Sequence, residues 1–194
     1  MRAVADIIES GRTEITFRAV SDASGIPERT IYRRYETKEA VLGAFWNWVN
    51  EQIGMPAPPR STSELVEQIR AVFSAFEAGE PLVRAMLHDP QGKIIRLSGA
   101  KERRAKFRDS LEEVLGGLKP VDQRRLLAST QVLLSAAGWE TMKDYWDLTS
   151  DEAADAAQWA ISTLIAEAQR QGRRTHKSSQ GKAGRNSRKI EKEV

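Results

Sequence analysis

The side chains best equipped for chemistry lie in one stretch, SGIPERTIYRRYETKEAVL, residues 24 to 42, where arginines alternate with apolar and aromatic residues. With Ile31 at the centre of a buried helical face and a turn of roughly 100° per residue, Pro27 and Tyr35 fall within about 40° of it. Arg29 and Arg33 then fall about 160° away, nearly opposite, with Thr30 and Tyr32 on the flanks. Such an outward face suits a DNA major groove. Arginine binds guanine O6 and N7 bidentately, which is worth about 1–3 kcal/mol against a wrong base. Hydroxyls of Thr30 and Tyr32 are placed to reach phosphate oxygens and fix register. Lys38, in the first turn of the next helix, adds its charge to exposed backbone N–H groups that favour a phosphate. By itself, an arginine-rich face on a short helix also describes an ordinary solvated surface. Local charge does not decide the matter, because residues 1 to 50 hold seven Lys/Arg and seven Asp/Glu.

Other chemistries find few parts. The chain has two His, no Cys and no glycine-rich phosphate loop, so nucleophilic and metal-dependent catalysis lack their usual groups. His88 and Asp89 are adjacent and point apart on a helix, while His176 lies far away near the C-terminus. We therefore expect no metal site, no cofactor and no catalytic residue, and read the chain as not an enzyme. Two rivals remain: a ligand-binding or interaction protein without operator recognition, and a small helical enzyme using carboxylates. The presence of Arg29, Tyr32, Arg33 and Lys38 on one surface counts against the former.

The elements that must position these groups read as helices throughout, an all-α chain. Val4, Ile7 and Ile8 mark a first helix closed by Gly11. Thr16 is a cap for a second over 17 to 23, ended by Ser24-Gly25. Pro27 suits the first position of the third. Thr37 caps a fourth carrying Val41, Leu42, Phe45, Val49 and Ile53. GMPAPPR, residues 54 to 60, breaks the pattern. Ser61 and Glu64, and later Thr149 and Glu152, have capping-box spacing. Gly79-Glu80-Pro81 and Asp89-Pro90 bracket a short helix. KERRAKFRDSLEEVL reads as one charged helix ending at Gly116-Gly117, and past Pro120 apolar density rises to Trp146. An Ala-rich final helix runs to about Gln171.

The segment TFRAVSDASGIPERTIYRRYETKEAVL, residues 16 to 42, resembles the DNA-binding domain of the tetracycline-repressor-like (TetR) family of transcriptional regulators, without a gap. It has that family's second helix, Gly turn, Thr-Ile-Tyr core, following aromatic and Lys-Glu-Ala-Val-Leu entry. The resemblance implies an N-terminal three-helix helix-turn-helix DNA-binding domain over 1–50, with a fourth helix from about 38 bridging to the next domain. A larger helical ligand-binding and dimerisation domain over 51–172 would follow. Base or backbone contacts are implied for Arg18, Glu28, Arg29, Thr30 and Arg33, and phosphate contacts for Tyr32 and Lys38. Residues 1 to 15 match weakly, and the basic N-terminal arm of many relatives is not present before the first helix.

The expected function is a ligand-responsive repressor binding a palindromic operator as a homodimer, since one module reads only a half-site. In the family, the last two long helices pair across a two-fold axis. Here Ala153, Ala156, Ala157, Ala160, Ile161, Leu164 and Ala168 form a small-sided stripe, with Val132, Leu133 and Ala137 as the matching segment. Trp46, Trp48, Phe73, Phe76, Met86, His88 and Trp139 are candidates to line a pocket for a small organic effector, or simply to pack the core. Net charge is +3, but residues from Arg170 onward carry +7 and the remainder −4. Residues 173–194 read as a basic disordered tail, a solubilising extension or a non-specific DNA attractor. No apolar run reaches membrane length and no leader is evident, so the reading is cytoplasmic, without a membrane partner.

Overall fold

The computed structural model describes residues 1–11 and 14–190, with side chains as far as Arg174. Among the described residues there is no strand; all regular structure is α-helical. No helix among them is long and apolar enough to cross a membrane.

The N-terminal unit contains α1 (Arg2–Glu9), α2 (Phe17–Ser24), α3 (Glu28–Tyr35) and α4 (Lys38–Gln52). The expected punctuation holds except at Pro27, which stands one residue before α3 as its N-cap rather than at its first helical position. Thr16 Oγ1 accepts from Ala19 N at 3.0 Å and opens α2; Thr37 Oγ1 accepts from Ala40 N at 3.1 Å and opens α4. Gly25 ends α2 at φ 69°, a left-handed conformation that costs a residue with a Cβ about 1–2 kcal/mol. Val4, Ile7, Ile15, Val20, Ile31, Leu42 and Phe45 pack into one apolar cluster. Phe45 has no exposed surface, a burial worth about 1.5–3 kcal/mol.

That cluster reaches beyond the first four helices. It takes in Leu82 and Met86 from α7 (Glu80–His88) and Ile95 from α8 (Pro90–Leu97). A second cluster fills the rest of the molecule, built from α5 (Thr62–Glu67), α6 (Ile69–Ala78), α9 (Ala100–Ser110), α10 (Glu112–Leu115), α11 (Pro120–Leu133), α12 (Ala136–Trp146) and α13 (Ser150–Ile190). Val83 of α7 belongs to this second cluster. One helix thus sends neighbouring residues into both cores, as the 3.6-residue period requires of a helix packed on two sides.

Helix α13 is the spine of the second cluster, packed chiefly against α6 and α11. Ala153, Ala157 and Ile161 are fully buried along it, and small side chains let the neighbours close in. About midway along it the backbones of Gly117 and Gly172 touch: a Cβ on Gly117 would stand 2.9 Å from Gly172 Cα.

Four elements differ from the sequence reading. The charged helix expected as one piece breaks at Leu111, which is buried at φ −109° and ψ 6°, while Thr62 Oγ1 donates to Ser110 O at 3.1 Å. Asp89-Pro90 closes α7 and also opens α8, because Asp89 accepts from Gln91 N at 2.7 Å and Pro90 takes the first turn. The run after Pro120 divides at Ser135, whose Oγ caps α12 through Gly138 N at 3.1 Å. Finally, α13 continues to Ile190, through residues expected to lack structure. Once its packed first half is formed, each further residue adds a backbone hydrogen bond to an existing helix, which is cheaper than starting one. Residues 191–194 of the expected tail lie outside the described residues.

Candidate nucleic-acid interface

The turn between α2 and α3 is held by its own hydroxyls. Ser21 Oγ donates to Ile26 O at 2.7 Å, and Ser24 Oγ accepts from Ile26 N at 3.2 Å. Both polar groups of Ile26 are thereby satisfied while its side chain stays 47% exposed. The sequence reading counts Ile26, with Ala19, Val20, Ala23 and Gly25, in the tight packing of this turn; the structure leaves its side chain largely outside that packing.

Helix α3 is sorted by face as expected. Ile31 is buried and Tyr35 half-buried; Glu28, Arg29, Thr30, Tyr32, Arg33 and Arg34 are exposed. Arg34 Cζ lies 5.8 Å from the Tyr35 ring centroid, so this third arginine folds back along the flank. Tyr32 is exposed but braced: its ring meets Phe17 of α2 edge to face. Arg18, the second residue of α2, is exposed, and Lys38 is half-buried at the start of α4. Glu36, at φ 57°, turns the chain between α3 and α4, two residues before Lys38.

Among the described residues, none of Arg18, Arg29, Arg33 or Lys38 has an ion-pair partner, a state they share with Arg34, Arg60, Arg104 and Arg124, whereas Arg70 pairs with Asp151 and Asp155. Anion binding by these four cations would therefore break no ion pair among the described residues.

The seven candidate pocket residues do not converge. Trp46, Trp48 and Met86 belong to the first cluster, Phe73, Phe76 and Trp139 to the second, and His88 lies at the surface. Trp48 stacks on Phe45 with centroids 5.6 Å apart, and Arg103 lies 4.5 Å over the Trp46 ring. Phe76 bridges Phe73 and Trp139 at 6.1 and 5.9 Å. Surface concavities at Gly116, Gly117 and Gly172, and at Lys119, Asp122 and Gln171, contain none of the seven.

The candidate dimer residues divide as well. Ala153, Ala157, Ile161 and Ala168 are buried in the molecule's own core. Leu133, Ala156, Ala160 and Leu164 are half-buried, Ala137 is exposed, and Val132 is 64% exposed. Trp159, absent from the sequence-based set, is 74% exposed on α13.

A polar clamp that sequence reasoning missed joins α7 to α12. Arg84 donates to Asp144 through both terminal nitrogens at 2.7 Å, to Glu140 at 3.0 Å and to Glu80 at 2.7 Å. Its guanidinium also lies 5.4 Å from the Trp139 ring centroid. The hydrogen bond from Arg84 holds the carboxyls of Glu80 and Asp144 below their usual range, although desolvation opposes it at both. Burial works against the charge on Lys143, but Glu77 and Glu80 outweigh it and raise its pKa. His88 Nε2 lies 2.8 Å from Glu140 Oε1 at the edge of this cluster. Among the described residues, no group of three or more His, Cys, Asp or Glu is arranged to hold a metal ion.

No family model, no curated protein and no solved structure matches this chain.

Proposed function

We propose that the chain is a sequence-specific DNA-binding regulator of the TetR type, acting as a homodimer on a palindromic operator. In this reading α1 to α3 form the helix-turn-helix module, α3 is the recognition helix, and α5 to α13 form the ligand-binding and dimerisation part. One observation carries it: an exposed, unpaired Arg29–Arg33 face stands opposite buried Ile31. Braced Tyr32 and the α4 entry at Lys38 flank that face at phosphate-contacting positions.

The second copy would pack on the outer side of α13 and the end of α11, where Trp159 and Val132 are exposed beside half-buried Ala156, Ala160 and Leu164. Two recognition helices related by that axis would meet half-sites about 34–36 Å apart or a multiple of it. A small-molecule effector acts in such a system only through its different affinity for the binding and non-binding arrangements of the dimer.

The test is a gel-shift with the DNA flanking the chain's own gene, at two salt concentrations with excess competitor. Arg33→Ala should relax base preference, and Lys38→Ala should weaken binding to all sequences alike. Identical effects from both substitutions would overturn the assigned roles, and an absence of binding at either salt would overturn the regulator reading.

A further inference from the structure

We infer that each half-site bound by this chain carries two G·C pairs separated by one base pair of any identity. The inference rests on the DNA-binding reading above and names what that surface reads. Arg29 and Arg33 are the second and sixth residues of α3. A rise of 1.5 Å per residue sets them about 6 Å apart along the helix axis. Successive base pairs in B-DNA are about 3.4 Å apart, so about 6 Å spans two steps. A helix lying in the groove thus meets one pair with Arg29, passes one, and meets the next with Arg33.

The residues between them do not fill the gap. Ile31 is buried, and Thr30 and Tyr32 stand on opposite flanks, toward the groove walls rather than its floor. The intervening pair therefore receives no side chain from α3, and its identity is free. Guanine is the preferred partner because its O6 and N7 match the two-pronged guanidinium, in either strand. Both arginines are exposed and without an ion pair among the described residues, so their forks are free to turn toward base edges. Glu28, next to Arg29 in sequence, pairs with neither. The phosphate-facing duties fall to Thr30, Tyr32 and Lys38, which leaves the midline arginines for the bases.

The experiment is selection of bound fragments from random duplex DNA with the full chain, repeated with Arg29→Lys and Arg33→Lys. Lysine keeps the charge and loses the fork. Enriched half-sites should carry the two G·C pairs one pair apart. Each variant should lose preference at one of them, by about 5- to 140-fold, while binding to competitor DNA changes little. A consistent half-site without that spacing, or both variants retaining both guanine preferences, overturns this inference and leaves the regulator reading standing. Failure to enrich any sequence overturns the regulator reading, and this inference with it.

Discussion

Phe17 and Tyr32 meet edge to face across α2 and α3, with ring centroids 5.5 Å apart and planes at 74°. The contact fixes a phenol that is 57% exposed, so its hydroxyl is presented from a rigid mount. This separates two roles in one residue: the ring belongs to the fold, the hydroxyl to whatever lies outside.

Tyr32→Phe should therefore leave the denaturation midpoint unchanged while lowering affinity for all DNA sequences to a similar degree. Tyr32→Ala should lose the hydroxyl and also the aromatic pair, worth about 0.5–1.5 kcal/mol. Urea denaturation and fluorescence anisotropy on the same two variants separate the effects. If Tyr32→Phe binds as wild type, the hydroxyl is not a phosphate contact.

Much of this arrangement was readable because it is local. Thr16, Thr37 and Thr149 each announce a helix within three or four residues, and each caps as expected. The inward placement of Ile31 followed from helical period alone. What was not readable depends on chain returning from far away. Arg84 finds Glu140 and Asp144 at separations of 56 and 60 residues, a pairing no local pattern encodes. The stripe on α13 was correctly apolar, but period cannot say which edge the molecule covers itself. Ala157 is covered and Trp159 is not. The aromatic residues grouped as one pocket fell into two cores for the same reason, since composition carries no distance.

The Arg84 clamp gives acid-dependent stability. Glu80 and Asp144 have folded-state carboxyls held below their unfolded values, chiefly by hydrogen bonds from Arg84. Their contribution is fully present above the usual carboxylate range and is lost as pH falls through the depressed folded values. Arg84→Met should destabilise the protein at about pH 7, where the lost guanidinium leaves Asp144 charged and unpaired and Glu80 with Lys143 alone. The gap between wild type and variant should shrink as pH falls below the usual carboxylate range and both carboxyls protonate. Thermal melts across that range check it. A gap independent of pH would mean that Arg84 contributes only through its packing on Trp139.

Thr130 in α11 is fully buried, and its Oγ1 has no hydrogen-bond partner among the described residues. A buried hydroxyl without a partner costs about 1–3 kcal/mol, and valine has nearly the same shape without the polar atom. Thr130→Val should raise stability by about 1 kcal/mol in urea denaturation. A loss of stability would mean that the hydroxyl finds a partner in solution, such as an internal water.

Trp159 tests the proposed homodimer. It is 74% exposed on α13, one turn beyond Asp155, which is tied to Arg70, and two residues beyond fully buried Ala157. A tryptophan so placed makes no contribution to the monomer core, so Trp159→Glu should fold normally, whereas Ala157→Glu should not fold. At the centre of a homodimer the same substitution removes a large apolar anchor from both copies. Such anchors are worth at least about 2 kcal/mol, or about 30-fold in the dimer Kd. Sedimentation should show Trp159→Glu shifted toward monomer, with operator affinity falling in step because a single module grips only one half-site. A variant that stays dimeric at wild-type concentrations would place the two-fold contact elsewhere on the molecule. A variant that becomes monomeric yet binds operator with undiminished affinity would break the link between dimerisation and recognition.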